Sequence, residues 1–445
     1  MTQFSQHYDV LVAGGGPAGI CAAVAAARQG ARTALAERYG ILGGMFTSGY
    51  VNPILGAVAP GTMYDEVIAL LGASCATTRN GREMGVDAER AKGLLLRFVR
   101  DAGVDIFLQT PVVEVVKEGS AVKGLVVGTQ EGLRTLTAGA LVDATGDGFA
   151  AARAGAAYEM GRAGDGRCQP ATLEFTLYGV DEETGITCWG GSDPVTLPGG
   201  ERYADFCREA SARGELPENV TIVRIHRTGR PGERSVNATQ ANGCNTLTPE
   251  GVLEAEYILR GQIDRIIDFL RRRVPGYAGC QLKGSGSTLG VRETRRITGD
   301  YIITDRDVET GARQEDAVVR EAWFLIDIHN PAGGGQAEGR SQPAVPYDIP
   351  YRSLLPAGLE GILTAGRCIS GTHRAHASYR VGGICLATGQ AAGAAAALAA
   401  LSGTAPRSLD PRRVQRALGF IKCHANSTTP TFNPRCSRWS TSPGP

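Results

Sequence analysis

The stretch DVLVAGGGPAGICAAVAAARQGARTALAERYGILGG, residues 9–44, decides the fold. An apolar run at residues 8–13 predicts a buried parallel strand that ends at three consecutive glycines. Residues 17–29 have the small-residue composition of a helix, and residues 32–37 predict a second strand. So much backbone with so little side chain in one βαβ unit indicates a bulky anion bound directly against the main chain.

Residues 14–19 match the spacing G-x-G-x-x-G of a dinucleotide-binding turn. Gly14 permits the tight turn, Gly16 lets the backbone approach a pyrophosphate, and Gly19 lets the helix pack closely on the strand. The helix N-terminus adds N–H groups and a partial positive charge. Glu37 lies close to the spacing of about 20 residues expected of a ribose-binding acid. This motif by itself does not separate NAD from FAD.

Composition and charge are those of an ordinary globular protein. The 445 residues are 42% hydrophobic and 20% charged, which suffices for two or three domains. A net charge of +1 with no basic stripe predicts neither a nucleic-acid partner nor a membrane partner. The eleven cysteines contain no C-x-x-C pair, so we expect no metal, no iron–sulfur cluster and reduced thiols in the cytoplasm. The apolar stretch 382–403, rich in Ala and Gly, predicts a buried helix.

Three further glycine-rich segments carry a family resemblance. They are the doublet Gly43-Gly44, the sequence DATGDG at residues 143–148, and GILTAGRCISGTHRAHASYRVGGICLATGQAAGAAAA at residues 361–397. With the first motif, they resemble FAD-dependent oxidoreductases related to fumarate reductase and succinate dehydrogenase flavoproteins. Within this group, LGVRETRRITGDY (289–301) and YDIPYRSLLP (347–356) resemble the branch that includes heterodisulfide reductase-like flavoproteins.

The resemblance implies FAD as cofactor and a set of residues that bind it. These are Gly14, Gly15, Gly16, Pro17, Ala18, Gly19, Glu37, Arg38, Gly43, Gly44, Met45, Val112, Ala144, Thr145, Gly146, Gly366, Arg367, Gly382, Gly383 and Ile384. Gly366-Arg367 departs from the family's frequent Gly-Asp pair, whose Asp bonds the ribityl hydroxyls. The doublet region GGMFTSG (43–49) has no histidine for a covalent flavin link, so non-covalent FAD is expected.

The expected fold is α/β, with a Rossmann-like FAD-binding domain interrupted by an inserted α+β substrate domain. The FAD-binding domain would combine a parallel sheet with an antiparallel β-meander. The expected boundaries are 1–150 for its first part, including the meander at 110–142; 151–350 for the insertion; 351–417 for its return segment and last helix; and 418–445 for a disordered tail. Residues 249–273 predict a helix, and residues 301–308 and 321–329 predict strands.

Candidates for chemistry flank the last motif. The cluster Arg292, Glu293, Arg295 and Arg296 is either an interdomain salt-bridge cluster or an arginine clamp for a carboxylate substrate. His373, His376 and Arg380 follow the last predicted strand, in the segment that the resemblance places beside the flavin ring. Arg295, His373, His376 and Arg380 are therefore the catalytic candidates. His329 is open to the same two kinds of interpretation.

The leading functional hypothesis is an FAD-dependent oxidoreductase acting on a small organic substrate by hydride transfer to or from flavin N5. A flavin electron-transfer protein working with a partner redox protein is the alternative. A non-catalytic FAD-binding protein whose site has decayed is a further one, favoured by the unusual C-terminus and Gly366-Arg367. A flavin monooxygenase fits less well, because ATGDG and Gly-Arg differ from that group's usual motifs.

Overall fold

A computed structural model describes residues 5–74, 79–80, 83–333, 335 and 344–421. The helices are α1 Pro17–Arg28, α2 Met63–Ser74, α3 Ala88–Arg100, α4 Phe149–Ala154, α5 Tyr203–Ala212, α6 Pro249–Arg273, α7 Asp305–Thr310, α8 His373–Tyr379, α9 Gly382–Ser402 and α10 Pro411–Ala417. The strands are β1 Ser5–Ala13, β2 Thr33–Ala36, β3 Pro53–Ile54, β4 Arg79–Asn80, β5 Glu83–Gly85, β6 Asp105–Phe107, β7 Val112–Glu118, β8 Ala121–Thr129, β9 Gly132–Asp143, β10 Tyr158–Glu159, β11 Phe175–Tyr178, β12 Arg224–Arg227, β13 Arg234–Asn237, β14 Gln281–Ser285, β15 Arg296–Ile297, β16 Ala317–Ala322, β17 Tyr347–Pro350 and β18 Ile362–Thr364.

The main sheet has the strand order β6-β2-β1-β9-β8-β7, and β18 also pairs with β9. β6, β2, β1, β9 and β18 pair in parallel, whereas β7, β8 and β9 form an antiparallel meander. The predicted α/β class with a parallel sheet and a meander is confirmed. The last strand of the meander, β9, runs into the DATGDG junction without a break.

Strand register brings the glycine junctions to one edge of the main sheet. Ala13 is paired with both Ala36 and Asp143, and Asp143 is paired in turn with Thr364. These residues stand at the carboxyl ends of parallel strands, where ligands of open α/β sheets bind. The turns that follow β1, β9 and β18 therefore lie side by side.

Helices α1 and α9 pack against each other through glycines. A Cβ atom at Gly389 would lie 2.0 Å from the carbonyl oxygen of Ala18, and one at Gly393 would lie 2.0 Å from that of Ala22. Glycine at these two positions lets the helix backbones touch. By length and composition α9 could cross a membrane, yet 78% of its most apolar window is buried inside the protein. The prediction of a buried helix is confirmed.

A second hydrophobic core lies within residues 173–289. The antiparallel sheet β12-β13-β11-β14 contributes Phe175 and Val236, and α6 contributes Ile263, Ile266 and Leu270. The prediction of a helix at residues 249–273 is confirmed at both ends. This core stands apart from the one that surrounds α1 and α9.

Thr248 begins α6 as its N-cap, since its side chain accepts a hydrogen bond from the N–H of Gly251 at 3.1 Å. We expect Thr248→Ala to lower the free energy of unfolding by about 1 kcal/mol, because that N–H loses its partner. Urea unfolding followed by circular dichroism measures the change. Thr248→Ser keeps the hydroxyl and is the control. An alanine variant as stable as the serine variant would contradict the capping role.

Two predicted strands are wrong. Residues 301–308 contain the start of α7, because Thr304 and Asp307 form a capping box in which each side chain bonds the other's backbone N–H. At residues 321–329 only the first two residues belong to a strand, β16. Glu321 adopts a positive φ of 53°, and its N–H donates to the side chain of Asp348 on β17 instead of to a backbone carbonyl of that strand. The pairing of β16 with β17 accordingly shifts in register before Ala322.

Of the predicted disordered tail, residues 422–445 lie outside the described residues. Its first residues are packed, since Leu418 is buried and the Arg320 guanidinium lies 4.6 Å from the centre of the Phe420 ring. The ordered body therefore extends past α10.

Candidate active site

The glycine turns after β1 and β9 contact each other through their backbones. Gly14 has a φ of +96°, and a Cβ atom there would lie 2.6 Å from the carbonyl oxygen of Ala144. A Cβ atom at Gly19 would lie 1.8 Å from the carbonyl oxygen of Gly14, so α1 starts directly against the turn. The N–H of Gly366, after β18, donates to Thr388 Oγ1 on α9 at 3.0 Å. Side chains larger than hydrogen would force these segments apart.

A cavity of about 510 Å³ opens along this edge of the sheet. The predicted cofactor residues that line it are Gly14, Gly16, Pro17, Ala18, Glu37, Arg38, Gly44, Met45, Val112, Ala144, Thr145, Gly146, Gly366, Arg367 and Gly382. The other predicted members, Gly15, Gly19, Gly43, Gly383 and Ile384, lie behind this lining. Gly43 N donates to Gly15 O at 2.8 Å and Gly383 N to Leu55 O at 2.9 Å, so these residues shape the wall.

The N-terminus of α1 faces this cavity with room for a diphosphate. Gly16 is the N-cap, has extended backbone angles and makes no side-chain capping bond. A Cβ atom at Gly16 would meet no protein atom within 4 Å. An open space in front of a helix N-terminus suits an anion, because free N–H groups and the helix dipole point at it.

Glu37 is fixed beside the glycine turn by two backbone donors. Gly15 N donates to Glu37 Oε2 at 2.5 Å, and Tyr39 N donates to Oε1 at 2.8 Å. Burial raises the pKa of Glu37, and the N–H groups of Tyr39 and Gly15 oppose that shift by favouring the carboxylate. Each oxygen keeps a lone pair that a ribose hydroxyl could use.

We expect Glu37→Gln to weaken FAD binding by about tenfold, which is about 1.4 kcal/mol. The amide NH₂ group must face one of two backbone N–H donors, so the acceptor site is lost and the turn is displaced. Fluorescence titration of the apoprotein with FAD measures the change. Glu118→Gln, at an exposed position of β7, is the matched control. An unchanged affinity in Glu37→Gln would exclude a role for this carboxylate.

Arg367 turns toward a carboxylate that the sequence analysis did not select. Its guanidinium Nη2 lies 2.5 Å from Asp147 Oδ1, and Nη1 donates to Thr294 Oγ1 at 3.0 Å. Burial opposes ionisation of Asp147, but Arg367 and Arg38 hold its pKa below the usual value. Asp147 is the second acid of DATGDG and lines the cavity, so that motif was the available signal.

The arginine cluster divides into two parts. Arg292 and Arg295 line the cavity, whereas the buried Arg296 forms ion pairs with Glu293 and donates to Gly371 O at 2.9 Å. Arg296 and Glu293 thus form a salt bridge, as the first interpretation of the cluster expects, and Arg292 and Arg295 are available for the arginine clamp of the second. Burial, reinforced by neighbouring Arg380, lowers the pKa of Arg292 to about 9.

Of the catalytic candidates, Arg295 and Arg380 line the cavity and the two histidines do not. His373 Nδ1 lies 2.9 Å from Glu293 Oε1, the same carboxylate oxygen that forms the ion pair with Arg296. His376 is fully buried, and neither ring nitrogen has a hydrogen-bond partner in the described part of the chain. Burial lowers the pKa of His376 well below its usual value, so the ring stays neutral.

A polar wall, formed by Glu174, Asn237, Asp327, His329 and Arg380, is part of the cavity lining. Arg380 Nη2 donates to the carbonyl oxygen of Asp327 at 3.0 Å, and His329 Nε2 lies 3.2 Å from Asp327 Oδ2. Burial, with the nearby Arg292, lowers the pKa of His329 to about 3. Glu174 and Asn237 reach the same wall from the second core. The sequence analysis missed Glu174, Asp327 and Asn237, because no motif marks them.

A parallel sheet whose glycine turns meet at one edge, with an acid after the second strand, defines a dinucleotide-binding protein. Residues 9–418 match the family described as FAD dependent oxidoreductase. The chain therefore belongs to the FAD-dependent oxidoreductases, is an enzyme of that family, and has FAD as its cofactor.

Several solved structures are distantly similar to this chain. A geranylgeranyl bacteriochlorophyll reductase-like protein from Thermoplasma acidophilum is 14% identical, with a TM-score of 0.49 over 94% of this chain and 83% of that chain. The flavin-dependent brominase Bmp2 is 13% identical, with a TM-score of 0.47 over 93% and 83%. The p-nitrophenol 4-monooxygenase PnpA from Pseudomonas putida DLL-E4 is 10% identical, with a TM-score of 0.45 over 93% and 84%.

Proposed function

We propose that the enzyme oxidises or reduces a small organic substrate by hydride transfer to or from N5 of FAD. The substrate would occupy the part of the cavity that faces the polar wall. FAD supplies the hydride acceptor or donor when it is bound. The chain's own task is then to hold the substrate, exclude water and manage a proton.

One observation carries this proposal: the glycine turns and the polar wall belong to the same cavity. A protein that only stored FAD would need the glycine turns alone. Here Arg292 and Arg295 from the segment after the second core, and Arg380 from the last motif, add guanidinium groups to the lining. The combination supports a substrate that carries an anionic group such as a carboxylate, since guanidinium forks match it.

Arg295 is the best placed of these groups to hold such a substrate. Its Nη1 donates to the carbonyl oxygen of Asp147 at 3.3 Å, and its guanidinium lies 5.4 Å from the centre of the Tyr158 ring. Its Nε has no hydrogen-bond partner among the described residues. Arg380 is more firmly held, by Asp327, and would help to orient the substrate.

The test is an anaerobic screen for compounds that bleach the bound flavin, covering hydroxy acids, amino acids, amines and alcohols. For an anionic substrate, Arg295→Gln should raise the concentration needed for half-maximal bleaching at least about tenfold, the worth of a hydrogen bond to a charged group. Arg272→Gln, on the exposed side of α6, should change nothing. Flavin that is reduced only by a partner redox protein would support the electron-transfer alternative instead.

We also propose three finer assignments that rest on sequence. FAD is held non-covalently, so acid precipitation of the protein should release all of the yellow colour. The chain belongs to the branch with heterodisulfide reductase-like flavoproteins, on the strength of residues 289–301 and 347–356. Its cysteine spacing favours a cytoplasmic location.

A further inference from the structure

Glu174 is the least constrained of the carboxyl groups in the cavity. Glu37 is held by two backbone N–H groups, and Asp147 is held by Arg367 and Thr294. Asp327 is held by His329 and Arg380. Oε2 of Glu174 has no hydrogen-bond partner in the described part of the chain, although the residue is only 3% exposed.

The position of Glu174 is fixed by the second core and by the loop at Asn52 together. The residue directly precedes β11, and its carbonyl oxygen accepts a hydrogen bond from Gly286 N at 2.9 Å. Its carboxyl group also accepts from the backbone N–H of Asn52. That loop contributes Val51 and Pro53 to the cavity, so the carboxyl group sits where the two units meet.

We propose that Glu174 is the catalytic acid–base residue that exchanges a proton with the substrate, an inference that rests on the proposed function. In the oxidative direction a C–H bond and the adjacent O–H or N–H bond of the substrate break. The hydride carries the electron pair to FAD, and the proton passes to Glu174 Oε2. A C=O or C=N bond forms, so the substrate loses two electrons and the cofactor gains them.

The charges around Glu174 leave both of its protonation states accessible. The charged groups that face it are the guanidinium groups of Arg292 and Arg224, and these favour the carboxylate. Burial outweighs them and raises the pKa of Glu174 to about 8. On the neighbouring strands, Lys283 pairs with Glu233 and Arg234 with Glu182.

His329 is a weaker candidate for the same role. Burial and Arg292 keep its ring neutral, so it cannot hold a proton as an imidazolium near neutral pH. Its contact with Asp327 makes it a positioning residue of the polar wall.

The test measures the reduction potential of bound FAD against pH by spectroelectrochemistry in the holoenzyme, and it needs no substrate. Reduction adds negative charge to the cavity and raises the pKa of a nearby carboxyl group, which then takes up a proton. In the wild type, the slope of the reduction potential against pH should change near pH 8 by the amount that corresponds to one proton per two electrons. Glu174→Gln should lose this change, and Glu174→Asp should keep it at a shifted pH. The exposed Glu218→Gln should match the wild type.

Identical slopes in the wild type and Glu174→Gln would overturn the proposal. If Glu174→Gln fails to retain FAD, the Glu174→Asp variant tests the proposal by itself. A slope change that stays at the wild-type pH in this variant would also overturn the proposal. Failure of the proposed function is a separate outcome: no compound in the anaerobic screen would bleach the flavin, while the slope change persists. With a bleaching substrate, loss of the Glu174 carboxyl group should lower kcat more than it raises KM.

Discussion

Replacing Gly16 by valine is expected to give a folded protein that retains almost no FAD. A Cβ atom at this position would meet no protein atom within 4 Å, so the side chain enters the cavity and not the core. Gly16 has an extended φ of −72°, which valine adopts without strain. The added methyl groups would take the space in front of α1 where we expect the diphosphate to bind, and FAD affinity should fall at least about 100-fold, or about 2.8 kcal/mol.

The flavin absorbance of purified protein and a fluorescence titration of the apoprotein measure this loss. Thermal unfolding of the apoprotein should be unchanged, which separates lost binding from lost folding. Gly191→Val is the matched control, since Gly191 is an exposed glycine whose Cβ atom would also meet open space. A Gly16→Val protein that leaves the column fully loaded would show that the cofactor lies elsewhere.

Replacing Gly393 by valine should instead destabilise the folded protein. A Cβ atom there would lie 2.0 Å from the carbonyl oxygen of Ala22, which belongs to the backbone of α1 and cannot rotate away. Helices α1 and α9 would have to separate along their length. Overpacking at such a contact costs about 3 kcal/mol or more, and the melting temperature should fall by roughly 5–10 °C.

Differential scanning calorimetry of the apoprotein measures this shift without any contribution from FAD binding. Leu401→Val lies on the same helix at a position that is 52% exposed, and it should leave the melting temperature within about 2 °C of the wild type. A Gly393→Val protein that melts like the Leu401→Val protein would mean that α1 and α9 are not in backbone contact.

Short-range patterns in the sequence were sufficient to predict several elements of the fold. The turn at residues 14–19, the helix at 249–273 and the buried helix at 382–403 all follow from local spacing of Gly, Pro and apolar residues. The errors at residues 301–308 and 321–329 arose where apolar runs suggested strands. A capping box at Thr304 and a positive φ at Glu321 overrode those runs, because local hydrogen bonds outweigh a weak β propensity.

Local sequence patterns were not sufficient to predict most of the polar wall. Glu174, Asn237 and Asp327 lie in segments that are far apart in the chain, and nothing in their neighbours marks them. Only the docking of the second core against the main sheet brings them into one cavity. The same packing sends Arg295 to the cavity and Arg296, its neighbour, to a buried ion pair with Glu293.

The sequence by itself determined the cofactor class of this protein, because a nucleotide's diphosphate is recognised by backbone geometry that a few adjacent glycines encode. The tertiary structure alone showed that the acids Glu174 and Asp327 line the same cavity as the glycine turns. A carboxyl group's burial and partners depend on chain segments far apart in sequence, and these set whether it is an inert ion pair or a group free to exchange a proton.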